Sequence, residues 1–343
     1  MLVIYLICFF IFPFCALFPV KSVPVKEVLL EKDDTDVIKG IAACLIILAH
    51  LIIPMKIEYS GISSILYVYT VTGGMGVLLF FFVSGYGIYK GYAEKDFTIK
   101  FWYTRIFHMY LPTVMIQFVF CLIVILINGS FDIKRILFDS FLAAWFVDVI
   151  MIQYLIFFIA WKFSKGRQNV LITLSFLGSI IVAVFFYMKE FNPRWYNGLL
   201  LFPIGMLVAC KEEKLIMYLR DKWATCLCAF GIAFVFWGGV FAYGKGNYVG
   251  IDICKVLAGI CLCLFICTIF IRIKFCSNVM SYIGKRSLFY YLVHLNIIGF
   301  CEKADIRSIK TFYIILILTP CIVEIFYRPY SFYHGSAIVK KIW

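Results

Sequence analysis

Apolar runs of about twenty residues recur along this chain, each long enough to carry a helix across roughly 30 Å of hydrocarbon. Short, basic connections separate them. With 64% apolar residues and a mean hydropathy of +0.98, a soluble fold is excluded. The pattern predicts an all-α fold, a polytopic transmembrane helical bundle. Ten core spans are expected near residues 36–55, 70–89, 106–127, 141–161, 169–188, 197–210, 223–243, 250–271, 282–300 and 311–327. No polar linker divides them, so one continuous bundle is expected.

Charge sets the orientation, because Lys and Arg accumulate in cytoplasmic loops. Taking alternate connections from the segment before Asp36, one side carries twenty-one Lys and Arg and the other nine, with Lys39 and Lys255 inside spans. The segment before Asp36 and the C-terminus are therefore expected in the cytoplasm, in a multi-pass protein of the cytoplasmic membrane. The formal net charge of +13 reads as topology and attraction to anionic lipid, with no need for nucleic acid as a partner.

The first twenty residues are apolar enough to span but lack the basic segment of a secretory signal, so an additional helix is expected there. Most of the fourteen cysteines fall inside apolar runs and read as small apolar side chains. No CxxC pair and no His-Glu-x-x-His helix exists, so no metal site is expected.

One run asks for more than insertion. DVIKGIAACLIILAH, Asp36 to His50, carries a cation near one end and an imidazole deep inside. Eleven residues make about three helical turns, so Lys39 and His50 share a face roughly 16 Å apart. An ionisable residue in a membrane is costly and marks a functional site by default. The plainer alternative is a Lys that snorkels to the headgroups and a His that hydrogen-bonds a neighbouring helix.

These residues also resemble a family. Asp-x-x-[Arg/Lys]-Gly-[Ile/Leu]-Ala followed by an apolar run and His looks like the first membrane helix of the acyltransferase-3 family, integral-membrane O-acyltransferases that modify sugars. FFFVSGYGIY resembles the family's second-span signature and puts Ser84 and Gly85 near the site. The stretch before the third span resembles an Arg-x-x-Arg segment that precedes a proline. Arg105 and Pro112 fit it, and His108 departs from it.

In the fourth span, where the family often has Trp-Ser-Leu with a following Glu and Gln, this chain has Trp145, Asp148 and Gln153; Asp148 stands as the substitute carboxylate. SYIGKRSLFYYLVHL is similar to the late motif Gly-Lys-x-Ser-x-x-x-Tyr-Leu-x-His, with Gly284, Lys285, Ser287, Tyr291, Leu292 and His294 in place.

The resemblance covers Asp36 to about Arg328. It implies a membrane acyltransferase domain over 36–328, and the apolarity and charge of the flanks add an N-terminal apolar helix and cytoplasmic linker over 1–35 and a cytoplasmic tail over 329–343. The implied reaction moves an acyl group, expected to be acetyl, from cytoplasmic acetyl-CoA as co-substrate to a hydroxyl of a lipid-linked or extracytoplasmic glycan. Phosphates of the donor need cationic partners, for which Lys39, Lys100 and Arg105 are the candidates, with Ser84 nearby. His50 is expected as base or transient acyl carrier, with Asp148 and His294 beside it. A proton-coupled transporter or flippase using His50, Asp148 and His294 as a relay is the alternative of a different class. The acceptor, the acyl length and the oligomeric state stay open.

Overall fold

A computed structural model describes residues 11–52, 60–92, 99–128, 145–244, 249–306 and 309–335. Helices dominate: α1 (Lys32–Ile52), α2 (Ser60–Tyr92), α3 (Ile99–Arg105), α4 (Leu111–Asn128), α5 (Trp145–Ser164), α6 (Gln168–Met188), α7 (Leu201–Cys210), α8 (Glu212–Asp221), α9 (Trp223–Tyr243), α10 (Val249–Phe270), α11 (Asn278–Lys285), α12 (Ser287–Lys303) and α13 (Ile309–Gly335). Eight stretches among the described residues are helical, long and apolar enough to cross a membrane. The chain is an all-α polytopic bundle. Side chains such as Ile232 and Val235 of α9, each 71% exposed, suit a hydrocarbon surrounding.

Two of the ten expected spans differ. The run at 197–210 yields α7, whose ten residues rise only about 15 Å and cannot cross alone. The run at 282–300 divides into α11 and the 17-residue α12. Both α7 and α12 are largely buried in protein, with Leu201, Phe202 and Met206 in one and Phe289 to His294 in the other. Apolarity marks exclusion from water, and a protein interior satisfies it as well as lipid does. Of the expected N-terminal helix, residues 1–10 lie outside the described residues. Beyond a helical turn at Phe12–Cys15 the chain enters strand β1 (Val20–Ser22), antiparallel to β2 (Ile273–Phe275), a small exception to the all-helical pattern. Pro19, after that turn, lacks the N–H a continuing helix would need.

The described residues of Met1–Ala49, Ser60–Lys95 and Ile152–Lys285 form one compact unit. Within it α2 packs on α7 and α10, and α9 on α10. Glycine allows the closest approaches. A Cβ on Gly85 would lie 1.9 Å from the Phe202 carbonyl oxygen, and one on Gly205 would lie 2.1 Å from that of Phe82. The pair lets α2 and α7 touch backbone to backbone. Gln153 of α5 is fully buried, donates to the Leu199 carbonyl at 3.2 Å and accepts from the Ser179 hydroxyl of α6 at 3.0 Å.

Connections that alternate onto the more basic side meet in this unit. The buried Glu212 carboxylate accepts from the Leu29 backbone N–H at 2.8 Å, from the Tyr86 hydroxyl and from Lys90. Arg272 donates to the Arg220 carbonyl at 3.0 Å, and β1 pairs with β2. Elsewhere in the unit, buried Lys255 donates to Asn197 at 2.8 Å, which donates to Asp252 at 3.1 Å, so an in-span lysine is satisfied by polar partners.

The second unit comprises the described residues of His50–Tyr59, Asp96–Met151 and Arg286–Trp343. Here α12 packs against α4 and α13. Asn296 links α12 to Gln117 of α4 at 3.3 Å.

Candidate functional site

Helix α1 begins where acidic side chains suit the exposed N–H groups of a helix start. Asp34 accepts from the Glu31 backbone N–H at 2.9 Å and from Lys26 at 2.6 Å. One turn on, Lys39 pairs with Asp36 at 2.6 Å, the lysine 30% exposed and the carboxylate 4%. The second Asp36 oxygen, Oδ2, is buried with no hydrogen-bond partner among the described residues. Lys39 thus keeps an open side but shares its charge with a neighbour, which would moderate its pull on any anion.

This register is set by a second pair of glycines. A Cβ at Gly40 would stand 2.1 Å from the Met280 carbonyl oxygen, and one at Gly284 only 1.7 Å from that of Asp36. The Gly284 of the late motif is therefore a packing residue that lets α11 lie against the first turns of α1.

At the far end of α1, the Nδ1 atom of His50 lies 2.9 Å from Nε2 of His294, with ring centroids 5.2 Å apart and planes 20° from parallel. His294 is fully buried, and its Nδ1 is 2.8 Å from the Tyr290 carbonyl oxygen one turn earlier in α12. A carbonyl only accepts, so His294 donates through Nδ1 and, when neutral, presents a bare Nε2. His50 must then donate through Nδ1, which leaves its own Nε2 with a lone pair. With this tautomer one nitrogen of His50 can accept a proton, and the positive charge it would acquire has a second ring to share it.

Aromatic rings flank the His294 side of the pair. The Tyr291 ring lies 6.1 Å from His294 and 5.5 Å from Phe146. Asp148, two residues after Phe146 in α5, keeps a buried Oδ2 without a hydrogen-bond partner, and among the described residues no hydrogen bond joins it to either imidazole. Among the described residues the carboxylate expected at this depth is therefore not bonded to the histidines, and the ring of His294 is a hydrogen-bond partner of His50.

Arg105 ends α3 with its guanidinium 5.2 Å from the Phe101 ring. Directly after it the helix widens into a π-turn over Ile106–Tyr110, where the Leu111 N–H reaches the Ile106 carbonyl. Pro112 follows and supplies no N–H to the turn before it, a local cause for that widening. The turn aims His108 at Tyr330 of α13, with Nδ1 2.7 Å from the hydroxyl. Where the family pattern has a second arginine, this chain uses a ring that ties two helices. Lys100 falls in α3, but its side chain lies outside the described residues.

Ser84 sits half-buried in α2 beside Gly85, in the segment pressed onto α7. Among the described residues no three His, Cys, Asp or Glu side chains are grouped to hold a metal. Sequence reasoning missed Tyr290, whose contribution is a main-chain carbonyl, and Asn296 with Gln117, which lock α12 to α4.

No curated protein and no solved structure matches this chain. A family model described as "Acyltransferase domain" matches residues 33–327, from the first turn of α1 into α13, which takes in Lys39, His50 and His294. The chain belongs to the acyltransferase-3 family of membrane O-acyltransferases.

Proposed function

We propose that this protein transfers an acetyl group from acetyl-CoA to a hydroxyl of a lipid-linked or extracytoplasmic glycan, with His50 as the reacting base. The observation that carries the reading is the His50–His294 hydrogen bond at 2.9 Å, with the Tyr290 carbonyl behind it. Family membership supports an acyl donor and an acceptor in general terms.

In this reading, His50 Nε2 removes the proton of the acceptor hydroxyl as its oxygen attacks the thioester carbonyl. The tetrahedral oxyanion then collapses, the carbon–sulfur bond breaks, and the proton on His50 passes to the departing thiolate. Ester and free CoA thiol result, and His50 returns to its starting state. His294 keeps the Nδ1–H of His50 engaged throughout, so the lone pair stays on Nε2 and the transient imidazolium is stabilised. The relay serves equally if Nε2 first carries the acetyl group itself.

Lys39 stands three turns from His50 on the same helix and, with Arg105 and Lys100, is the proposed partner of the donor's phosphates. Ser84 is proposed to lie along the pantetheine path. Asp148 is proposed to meet an acceptor hydroxyl through its unpartnered oxygen. The cytoplasmic end of the bundle is proposed to be the more basic one, which admits the donor from the cytoplasm.

A proton-coupled transporter would need a relay through Asp148, and among the described residues no hydrogen bond connects it to the histidines. Purified protein incubated with [14C]acetyl-CoA and isolated glycolipids tests the reading. Labelled glycolipid should form with the native chain and not with His50→Ala. Equal labelling by a well-folded His50→Ala protein would refute it.

A further inference from the structure

Away from the histidine pair, the second unit holds a cavity of about 410 Å³ between α4 and α13, floored by Phe289 at the start of α12. Its size falls within the range of about 300–1,000 Å³ usual for small-molecule sites. Two prolines line it from opposite helices, Pro112 and Pro329, together with Met115, Ile325 and Tyr330. A proline in a helix removes one backbone hydrogen bond and bends the rod, so two facing prolines keep α4 and α13 from closing. The lining is hydrocarbon except at Tyr330, whose hydroxyl is engaged by His108. Nothing in the acetyl-transfer reading uses this space.

Its margin is charged. Glu324 accepts from Arg286 at 2.7 Å and from Arg328 at 3.0 Å, so that among the described residues one carboxylate stands between two guanidiniums, with one positive charge in excess. The Arg286 guanidinium lies 4.2 Å from the Tyr327 ring, and Tyr327 and Tyr330 both contact Phe289. Arg328 is 81% exposed on its side chain and adjoins Pro329. An apolar trough bordered by excess cation matches a hydrocarbon tail joined to a phosphate, and basic pockets between membrane helices bind anionic headgroups.

We propose that this trough binds one anionic phospholipid, with an acyl chain between Pro112 and Pro329 and the phosphate on Arg328 and Arg286. The site is separate from the reacting groups and rests on none of the acetyl-transfer reading. Glu324 sets its strength, because its carboxylate competes with the phosphate for both arginines.

Native mass spectrometry of the purified full chain, titrated with equimolar dioleoyl phosphatidylglycerol and dioleoyl phosphatidylcholine, tests this. The native chain should retain one phosphatidylglycerol in preference to phosphatidylcholine. Arg328→Gln should cut that preference roughly fivefold, the scale for one cation at an anionic lipid surface, and Glu324→Gln should raise it. Met115→Trp, which fills the trough, should reduce the phosphatidylglycerol adduct without changing the secondary structure. Equal retention of the two lipids by the native chain overturns the proposal, as does an unchanged preference in both charge variants. An undiminished adduct in Met115→Trp also overturns it, because the tail would then lie elsewhere.

Discussion

His50 donates through Nδ1 to His294, and His294 donates through its own Nδ1 to the Tyr290 carbonyl, a two-step chain that ends on main chain. The direction of every proton in it follows from the last acceptor, which has no hydrogen to give. A rotated or replaced His294 would leave His50 free to adopt either tautomer.

His294→Ala should therefore lower kcat for acetyl transfer by about 100-fold or more while changing the KM for acetyl-CoA little, in line with the usual worth of positioned proton transfer. His50→Ala should abolish transfer. Steady-state assays on detergent-purified variants of matched melting temperature separate the two effects, and a His294→Ala protein with a native kcat would show that the second ring is only packing.

Lys39 and Asp36 form an ion pair at 2.6 Å that any phosphate must compete with. Replacing Lys39 by Ala should raise the KM for acetyl-CoA about tenfold, from the loss of a charge-assisted hydrogen bond of roughly 1.5–3 kcal/mol. Asp36→Asn should act in the opposite direction and lower it. Donor titrations at fixed acceptor measure both; shifts of the same sign would contradict a phosphate role for Lys39.

Gly284 approaches the backbone of α1 so closely that an added Cβ would stand 1.7 Å from the Asp36 carbonyl oxygen. The neighbour is main chain and cannot swing away. Gly284→Ala should cost about 1–3 kcal/mol or more, typical of overpacking, and lower the melting temperature in detergent. Gly299, with nothing within 4 Å of its Cβ position, is the control, and its alanine variant should melt close to the native temperature.

Glu212 gathers the Leu29 N–H, the Tyr86 hydroxyl and Lys90. In Glu212→Ala these donors lose their acceptor, at about 1.5–3 kcal/mol for a hydrogen bond to a charged group. The first consequence should be faster amide exchange over Leu29 and Leu30, read by hydrogen–deuterium exchange, before any global unfolding. Unchanged protection there would mean that β1 and α1 hold the segment without it.

Much of the architecture is legible in one dimension. The long runs that became α1, α2, α4, α5, α6, α9, α10 and α13 announce themselves by length and apolarity, because transfer from water is summed along a helix and needs no knowledge of neighbours. The same measure misread residues 197–210, since Leu201, Phe202 and Met206 hide against other helices instead of lipid. Hydropathy reports what avoids water and is silent about what replaces it.

The candidate site divides along the same line. Three turns of one helix place Lys39 and His50 on a common face by 3.6-residue periodicity alone, and an imidazole within an apolar run singles itself out. His294 is 244 residues away in the chain, and no periodicity reaches that far. Its meeting with His50, the tautomer imposed by the Tyr290 carbonyl, and the absence among the described residues of a hydrogen bond from Asp148 to either ring were decided by tertiary packing. Local sequence sets the transfer energy and the face of each helix. Which faces meet depends on close contacts between helices distant in the chain, and only folding brings those together.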